Sequence, residues 1–187
     1  MSLEQTHAHL VEVFGPEAVV RVPEDSLNPA ITHRETRRFL AGAGLPDPKD
    51  FLFGLEPGVA GGMRLAGEVY EFFGDMEDLP RTSDSWVFIG WIGYDDGLVV
   101  DGVDGSVHAL PQGESLSEPL HPGLAELAEF LTVLYEERAN YADGTDRRLR
   151  EETVERITAR FRSVDPGALA DEEGTYTRLL ESIAEHY

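Results

Sequence analysis

The run Trp86–Tyr94, WVFIGWIGY, limits the possible folds more than any other stretch of the chain. It is far too short to cross a bilayer of ~30 Å as a helix. Its β-branched and aromatic content favours a strand. Successive strand residues face opposite sides, so Val87, Ile89 and Trp91 are expected to point one way and Phe88, Ile92 and Tyr94 the other. A strand apolar on both faces belongs inside a sheet, with two covered faces or with one covered and one adhesive. Gly90 and Gly93 leave gaps where another backbone can approach. Asp95-Asp96-Gly97 and Gly102-Val103-Asp104-Gly105 have the chemistry of tight turns, since glycine and aspartate tolerate positive φ. The segment reads as a ladder of hairpins.

The neighbouring sequence supplies the remaining elements. Ser2-Leu3-Glu4-Gln5 has the capping-box pattern, Leu3, Leu10, Val11 and Phe14 recur at helical spacing, and Gly15-Pro16 ends the run. Ala18 to Val22 reads as a strand between prolines. Thr32-His33-Arg34-Glu35 is a second capping box, with Thr36, Phe39, Leu40 and Ala43 as the inward stripe and Gly44 at the left-handed cap. The expected strands after it are Phe51–Leu55, Met63–Leu65, Glu68–Phe72, Trp86–Tyr94, Leu98–Asp101 and Ser106–Leu110. Three helical stripes close the chain: Leu124 to Tyr135, Leu149 to Val164, and Tyr176 to Tyr187, the last two separated by Asp165-Pro166-Gly167. Runs of strands followed by runs of helices give an α+β plan. The length, 187 residues, favours one domain over two.

Charge is the next constraint. Thirty-six acids against fifteen bases give a formal net charge of −21. Such a field repels phosphate, so direct binding to nucleic acid or to an anionic membrane is not expected. It attracts a basic partner and speeds the encounter. The excess is uneven: between Ala66 and Glu137 lie sixteen acids and one base, Arg81, a net of −15 over 72 residues. Arg34, Arg37 and Arg38 cluster on the second helix, where pairing with the protein's own acids is expected. Cysteine is absent, which excludes disulfides, thiol catalysis and cysteine-bound zinc. The N-terminus has neither a basic start nor an apolar stretch, so a soluble cytoplasmic protein is the simplest expectation.

A calcium loop needs oxygen ligands at positions 1, 3, 5 and 12; counted from Asp101 these fall on Val103, Gly105 and Gln112, and counted from Asp95 position 3 is Gly97. The aspartates therefore read as turn residues. His7, His9, His33, His108, His121 and His186 lack zinc-ligand spacing, so no metal is expected. Gly58-Val59-Ala60-Gly61-Gly62 is not followed by Lys-Ser or Lys-Thr, and no Gly-x-Ser-x-Gly elbow occurs. No cofactor and no catalytic residue is expected.

Four stretches in order resemble one family. THRETRRFLAGAGLP, Thr32 to Pro46, is similar to the helix-and-turn signature of the SUKH superfamily, in particular its fourth, immunity-protein subfamily of actinobacterial type. VFGPEAVVRV precedes it, while LVVDGVDGSVHAL and EPLHPGLAELAEFLTVLYEERANY resemble the hairpin and helix that follow. The resemblance covers roughly Leu10 to Leu180; His121-Pro122 stands where asparagine is commoner, and Glu68 to Asp84 follows no family pattern. It implies a single α+β domain over residues 1–187, with a curved, mainly antiparallel sheet, helices packed on one side, and C-terminal helices. It also implies a non-enzymatic intracellular immunity protein that binds and blocks a cognate polymorphic toxin, such as a nuclease or nucleic-acid deaminase.

A toxin that handles nucleic acid has a basic cleft, and the acidic segment is suited to cover it. The expected contacts are Glu68, Glu71, Asp75, Glu77, Asp78, Asp95 and Asp96, with Tyr70, Phe72, Phe73 and Tyr94 as aromatic anchors. Two other readings remain open on sequence. A regulatory interaction module of the same superfamily requires several weaker partners. A small carboxylate-dependent hydrolase requires a cleft holding two acids of strongly shifted pKa.

Overall fold

The computed structural model describes residues 2–71, 73–77, 79–93, 95–112 and 116–186. Its first element, α1 (Leu3–Phe14), starts as expected: the Ser2 hydroxyl accepts from the Gln5 N–H at 3.2 Å, and the Gln5 side chain accepts from the Ser2 N–H at 2.8 Å. Gly15, at φ +90°, ends it. The strand expected over Ala18 to Val22 shortens to β1 (Val19–Val20), which pairs antiparallel with β2 (Leu45–Pro46). Between them lies α2 (Arg34–Gly42), with Thr36, Phe39 and Leu40 buried. Gly44 is left-handed at φ +81°, and a Cβ there would sit 2.6 Å from the Val20 carbonyl oxygen. The second capping box does not form. The Thr32 hydroxyl donates to the Gly102 carbonyl at 3.2 Å, and the helix begins one residue later, after His33.

The main sheet is antiparallel and open, in the order β3-β4-β5-β6-β7. Its strands are β3 (Phe53–Leu55), β4 (Trp86–Ile92), β5 (Asp96–Asp101), β6 (Val107–Leu110) and β7 (Glu118–His121). The architecture is α+β. Of the other strands expected, Met63–Leu65 contributes only an isolated bridge from Leu65 to Val87. Of the strand expected over Glu68–Phe72, Phe72 lies outside the described residues, and residues 68–71 do not form a strand either: α3 (Ala66–Val69) is a short helix. The reason is spacing. Ala66, Val69, Tyr70, Phe73, Met76 and Leu79 recur every three or four residues and pack together on the sheet, which a period of two could not do.

One bulge redirects β4, an interior strand. Val87 pairs with Val100 and Phe88 with Val99, but Gly90 pairs with Leu98, leaving Ile89 unpaired. An extra residue shifts the alternation by one. Val87, Ile89 and Ile92 therefore face the larger core, while Trp86, Phe88 and Trp91 face the opposite side. The expected grouping of Trp91 with Val87 and Ile89 is thus corrected, and so is that of Ile92 with Phe88. Tyr94 lies outside the described residues. Gly90 is required where it stands, because a Cβ would meet the Gly54 carbonyl oxygen at 2.2 Å.

On one side the sheet carries α1, α2, α4 (Leu124–Glu137), α5 (Arg147–Val164) and α6 (Thr175–His186). Helix α4 lies against α1, α2, α5 and β7, and it buries Phe130, Thr132 and Val133 beyond the expected stripe. Phe130 stacks on Phe161 of α5 with ring centroids 3.9 Å apart, and Tyr176 of α6 closes the cluster. The Tyr176 hydroxyl lies 2.6 Å from Nε2 of the buried His121 on β7. The Glu118 carboxylate, on the same strand, accepts from both the N–H and the hydroxyl of Thr175 at 2.8 Å, which caps α6. The outer edges are blocked as well. Asp47 accepts the Leu55 N–H on β3, and Pro119 stands in β7.

Candidate functional site

The described residues between Met63 and Ser85 form a strap across the outer face of the sheet. It starts alongside β4, where the Arg64 carbonyl accepts the Phe88 N–H at 2.9 Å. Ala66 and Tyr70 are buried against Trp86, Phe88, Val99 and Leu110, with Val69, Phe73, Met76 and Leu79 packed around them. The apolar residues hold the strap down, and the acids between them project outward. Glu68, Glu71, Asp75 and Glu77 are all exposed.

The structure divides the expected contact residues into three groups. Glu68, Glu71, Asp75 and Glu77 share the strap, and Asp95 is exposed in the β4–β5 turn at φ +74°. Asp78, Phe72 and Tyr94 lie outside the described residues. Tyr70 and Asp96 face inward. Tyr70 is buried, and its hydroxyl donates to the Pro111 carbonyl at 3.2 Å. Burial, with a contribution from the charge of Asp96, pushes that hydroxyl above its ordinary pKa. Asp96 accepts from the Gln112 N–H and from the Arg178 guanidinium, each at 3.0 Å. Phe73 is half-buried, edge-on to Trp86 at 6.1 Å. Tyr70 and Phe73 therefore anchor the strap to its own sheet.

The described strap carboxylates lie outside the ion pairs of the fold. Elsewhere the arginines neutralise carboxylates: Arg156 holds Glu137, Arg160 holds Glu136, and Arg147 and Arg148 hold Glu151 and Glu152 one turn on. The hydrogen bond from Arg156 is the main reason the Glu137 carboxyl sits below its ordinary pKa. Among the described residues no Lys or Arg pairs with Glu68, Glu71, Asp75, Glu77 or Asp95. Nor does a carboxylate pair with Arg34, Arg37 or Arg38, contrary to expectation. Arg37 instead donates to the carbonyl oxygens of Ile31 and Glu24. An acid without an ion pair is available to a partner's cation, because no internal pair has to be broken first; Glu68 also accepts the Leu65 N–H at 3.0 Å.

The turn aspartates have structural partners. The carboxylate of Asp101, only 1 % exposed, accepts from the Trp86 indole N–H at 2.9 Å, the Val103 N–H at 2.7 Å and the Asp104 N–H at 3.4 Å. Asp104 accepts from the Ser106 N–H and hydroxyl, which lowers its pKa. Among the described residues no group of three His, Cys, Asp or Glu is placed to hold a metal ion. Among the described residues the carboxyls with a shifted pKa, Asp104 and Glu137, are both shifted downward. That direction is unsuited to a general acid. Buried His121 is held neutral, down to about 4, mainly by burial.

Sequence reasoning missed Trp91. Pairing it with the core-facing residues hid the fact that the bulge turns its half-buried ring to the strap side. Among the described residues no helix is long and apolar enough to cross a membrane. The family model described as SUKH-4 immunity protein matches residues 5–182. No curated protein and no solved structure matches the chain.

Proposed function

The chain belongs to the SUKH-4 immunity protein family, and on that premise we propose that it binds and neutralises a cognate basic toxin through the strap. The observation that carries this reading is a strap whose apolar side holds it to the sheet while Glu68, Glu71, Asp75 and Glu77 face solvent without basic partners. Asp95 extends the surface at the adjoining turn. The toxin chemistry that fits is a nuclease or nucleic-acid deaminase, since a cleft that binds phosphate is lined with cations. Acidic side chains entering such a cleft compete with the substrate's phosphates, so neutralisation needs occupancy and no turnover. Complementary charge sets the association rate, and buried contacts set the residence time. Asp78 and Tyr94 adjoin this surface in sequence and belong to the same proposal.

The deciding experiment is co-expression with the toxin domain encoded beside this chain, scored by growth. The wild type is expected to rescue growth, and a variant carrying Glu68→Gln, Glu71→Gln, Asp75→Asn and Glu77→Gln is expected to lose rescue while keeping its melting temperature. Full rescue by the variant would rule out the strap as the docking surface. Failure of the wild type to rescue would rule out the immunity role against that toxin.

A further inference from the structure

Cross-strand pairing leaves Trp91 with a glycine on each side. Its partner on β3 is Gly54 and its partner on β5 is Gly97. The two flanks differ. A Cβ at Gly97 would meet Phe88 at 3.0 Å, Tyr70 at 3.4 Å and Leu110 at 3.5 Å, so that side is filled by the strap's packing. A Cβ at Gly54 would meet nothing within 4 Å. Phe53 and Leu55 point into the larger core, which places Gly54 on the same outer face as Trp91. The strap thus stops at the indole. Beyond the ring lies a notch floored by bare β3 backbone, while Phe88 at 4.7 Å and Tyr70 at 6.4 Å support the ring from the other side.

Two acids without an ion pair stand near this notch along the chain: Asp95 lies four residues past Trp91 in the β4–β5 turn, and Glu71 adjoins Tyr70. Glu56, two residues past Gly54, is already paired. Arg64, the base in this neighbourhood, is tied to Glu56. A flat indole beside an open glycine floor accommodates a planar cation lying against the ring, and the local charge selects positive over neutral occupants.

We infer that the Trp91–Gly54 notch receives an arginine side chain of a basic protein partner, with the guanidinium stacked on the indole. The inference deepens the proposed function and rests on it for the partner's class. Lysine lacks the planar group, so the notch favours arginine over lysine at equal charge. The strap carboxylates act at longer range and discriminate little between the two.

The test uses nonaarginine and nonalysine peptides on the full chain, followed by indole fluorescence and acrylamide quenching. The chain has two tryptophans, and Trp86 is fully buried, so the quencher reads Trp91. Nonaarginine is expected to protect Trp91 and to bind about fivefold more tightly than nonalysine. Gly54→Val fills the notch at a strand position where its Cβ clashes with nothing. It should fold and bring the two peptides to equal affinity, and Trp91→Leu should do the same by isothermal titration. Equal affinity in the wild type, or a preference for arginine that survives Gly54→Val, overturns the inference. In the growth assay, full rescue by Gly54→Val beside loss of rescue by the four-acid variant would remove the notch and leave the immunity reading standing. Loss of rescue in both supports the two together.

Discussion

Replacing Asp101 with asparagine tests whether the aspartates of the hairpin ladder are structural. Its two carboxylate oxygens face opposed donors: the Trp86 indole N–H lies 2.9 Å from Oδ2, and the Val103 N–H lies 2.7 Å from Oδ1. An asparagine has one carbonyl oxygen, so its amide nitrogen must face one of these N–H groups. The substitution then removes a charge-assisted hydrogen bond, worth about 1.5–3 kcal/mol, and leaves a buried donor without an acceptor, costing about 1–3 kcal/mol. The two costs overlap, and about 3 kcal/mol is the expected destabilisation. At about 2–4 °C per kcal/mol for a domain of this size, the melting temperature falls by about 6–12 °C. Near-UV circular dichroism follows the transition, since Trp86 sits at the contact. Trp86→Phe should cost less in the Asp101→Asn background than in the wild type, by about 1–2 kcal/mol, because the stranded donor is gone. Calcium at millimolar concentration should leave the wild-type melt unmoved. A variant melting within about 2 °C of the wild type, or a wild type stabilised by calcium, would refute the assignment of Asp101 to the turn.

Two further outcomes follow. His121 is neutral in the fold down to about 4 but takes up a proton near 6.5 when unfolded. Its contribution is therefore present above pH 6.5 and is lost as the pH falls through about 4, at most about 3 kcal/mol. Urea denaturation of the wild type and His121→Gln at the two ends of that window should show the smaller fall in the variant; equal falls would dissociate acid sensitivity from His121. In stopped-flow association with the toxin, the four-acid variant should lose about tenfold or more in on-rate at low salt, with an off-rate changed by less than about threefold. An on-rate indifferent to both the variant and added salt would exclude electrostatic steering by the strap.

Much of the fold is legible in the sequence where a local rule decides it. The Ser2–Gln5 box, the Gly44 cap and, over the described residues, the helical stripes depend on neighbours within a turn, and they stand as expected; Tyr187 lies outside the described residues. The departures come from long-range partners. Thr32 lost its capping role to a carbonyl seventy residues away, that of Gly102. Strand β7 escaped notice because Pro119 sits in four residues whose only ladder partner is β6. The acidic segment was legible as charge, but its alternation of acids and aromatics concealed the three- and four-residue spacing that makes it a strap. Tyr70, expected as an anchor for a partner, is buried in the fold with its hydroxyl donating to the Pro111 carbonyl. The notch at Trp91 depends on the bulge at Ile89 and on the register of β3, neither of which leaves a local trace.

The sheet acts as a bulkhead between two apolar compartments. The helices and the larger cluster occupy one side, and the strap with its smaller cluster occupies the other. Because the strap's outward side chains touch neither, they can be exchanged wholesale while the helical compartment keeps every contact. Under the proposed function, recognition can thus be rewritten on a chassis whose folding energetics stay almost constant, which separates the evolution of the docking side chains from the evolution of those that keep the molecule folded.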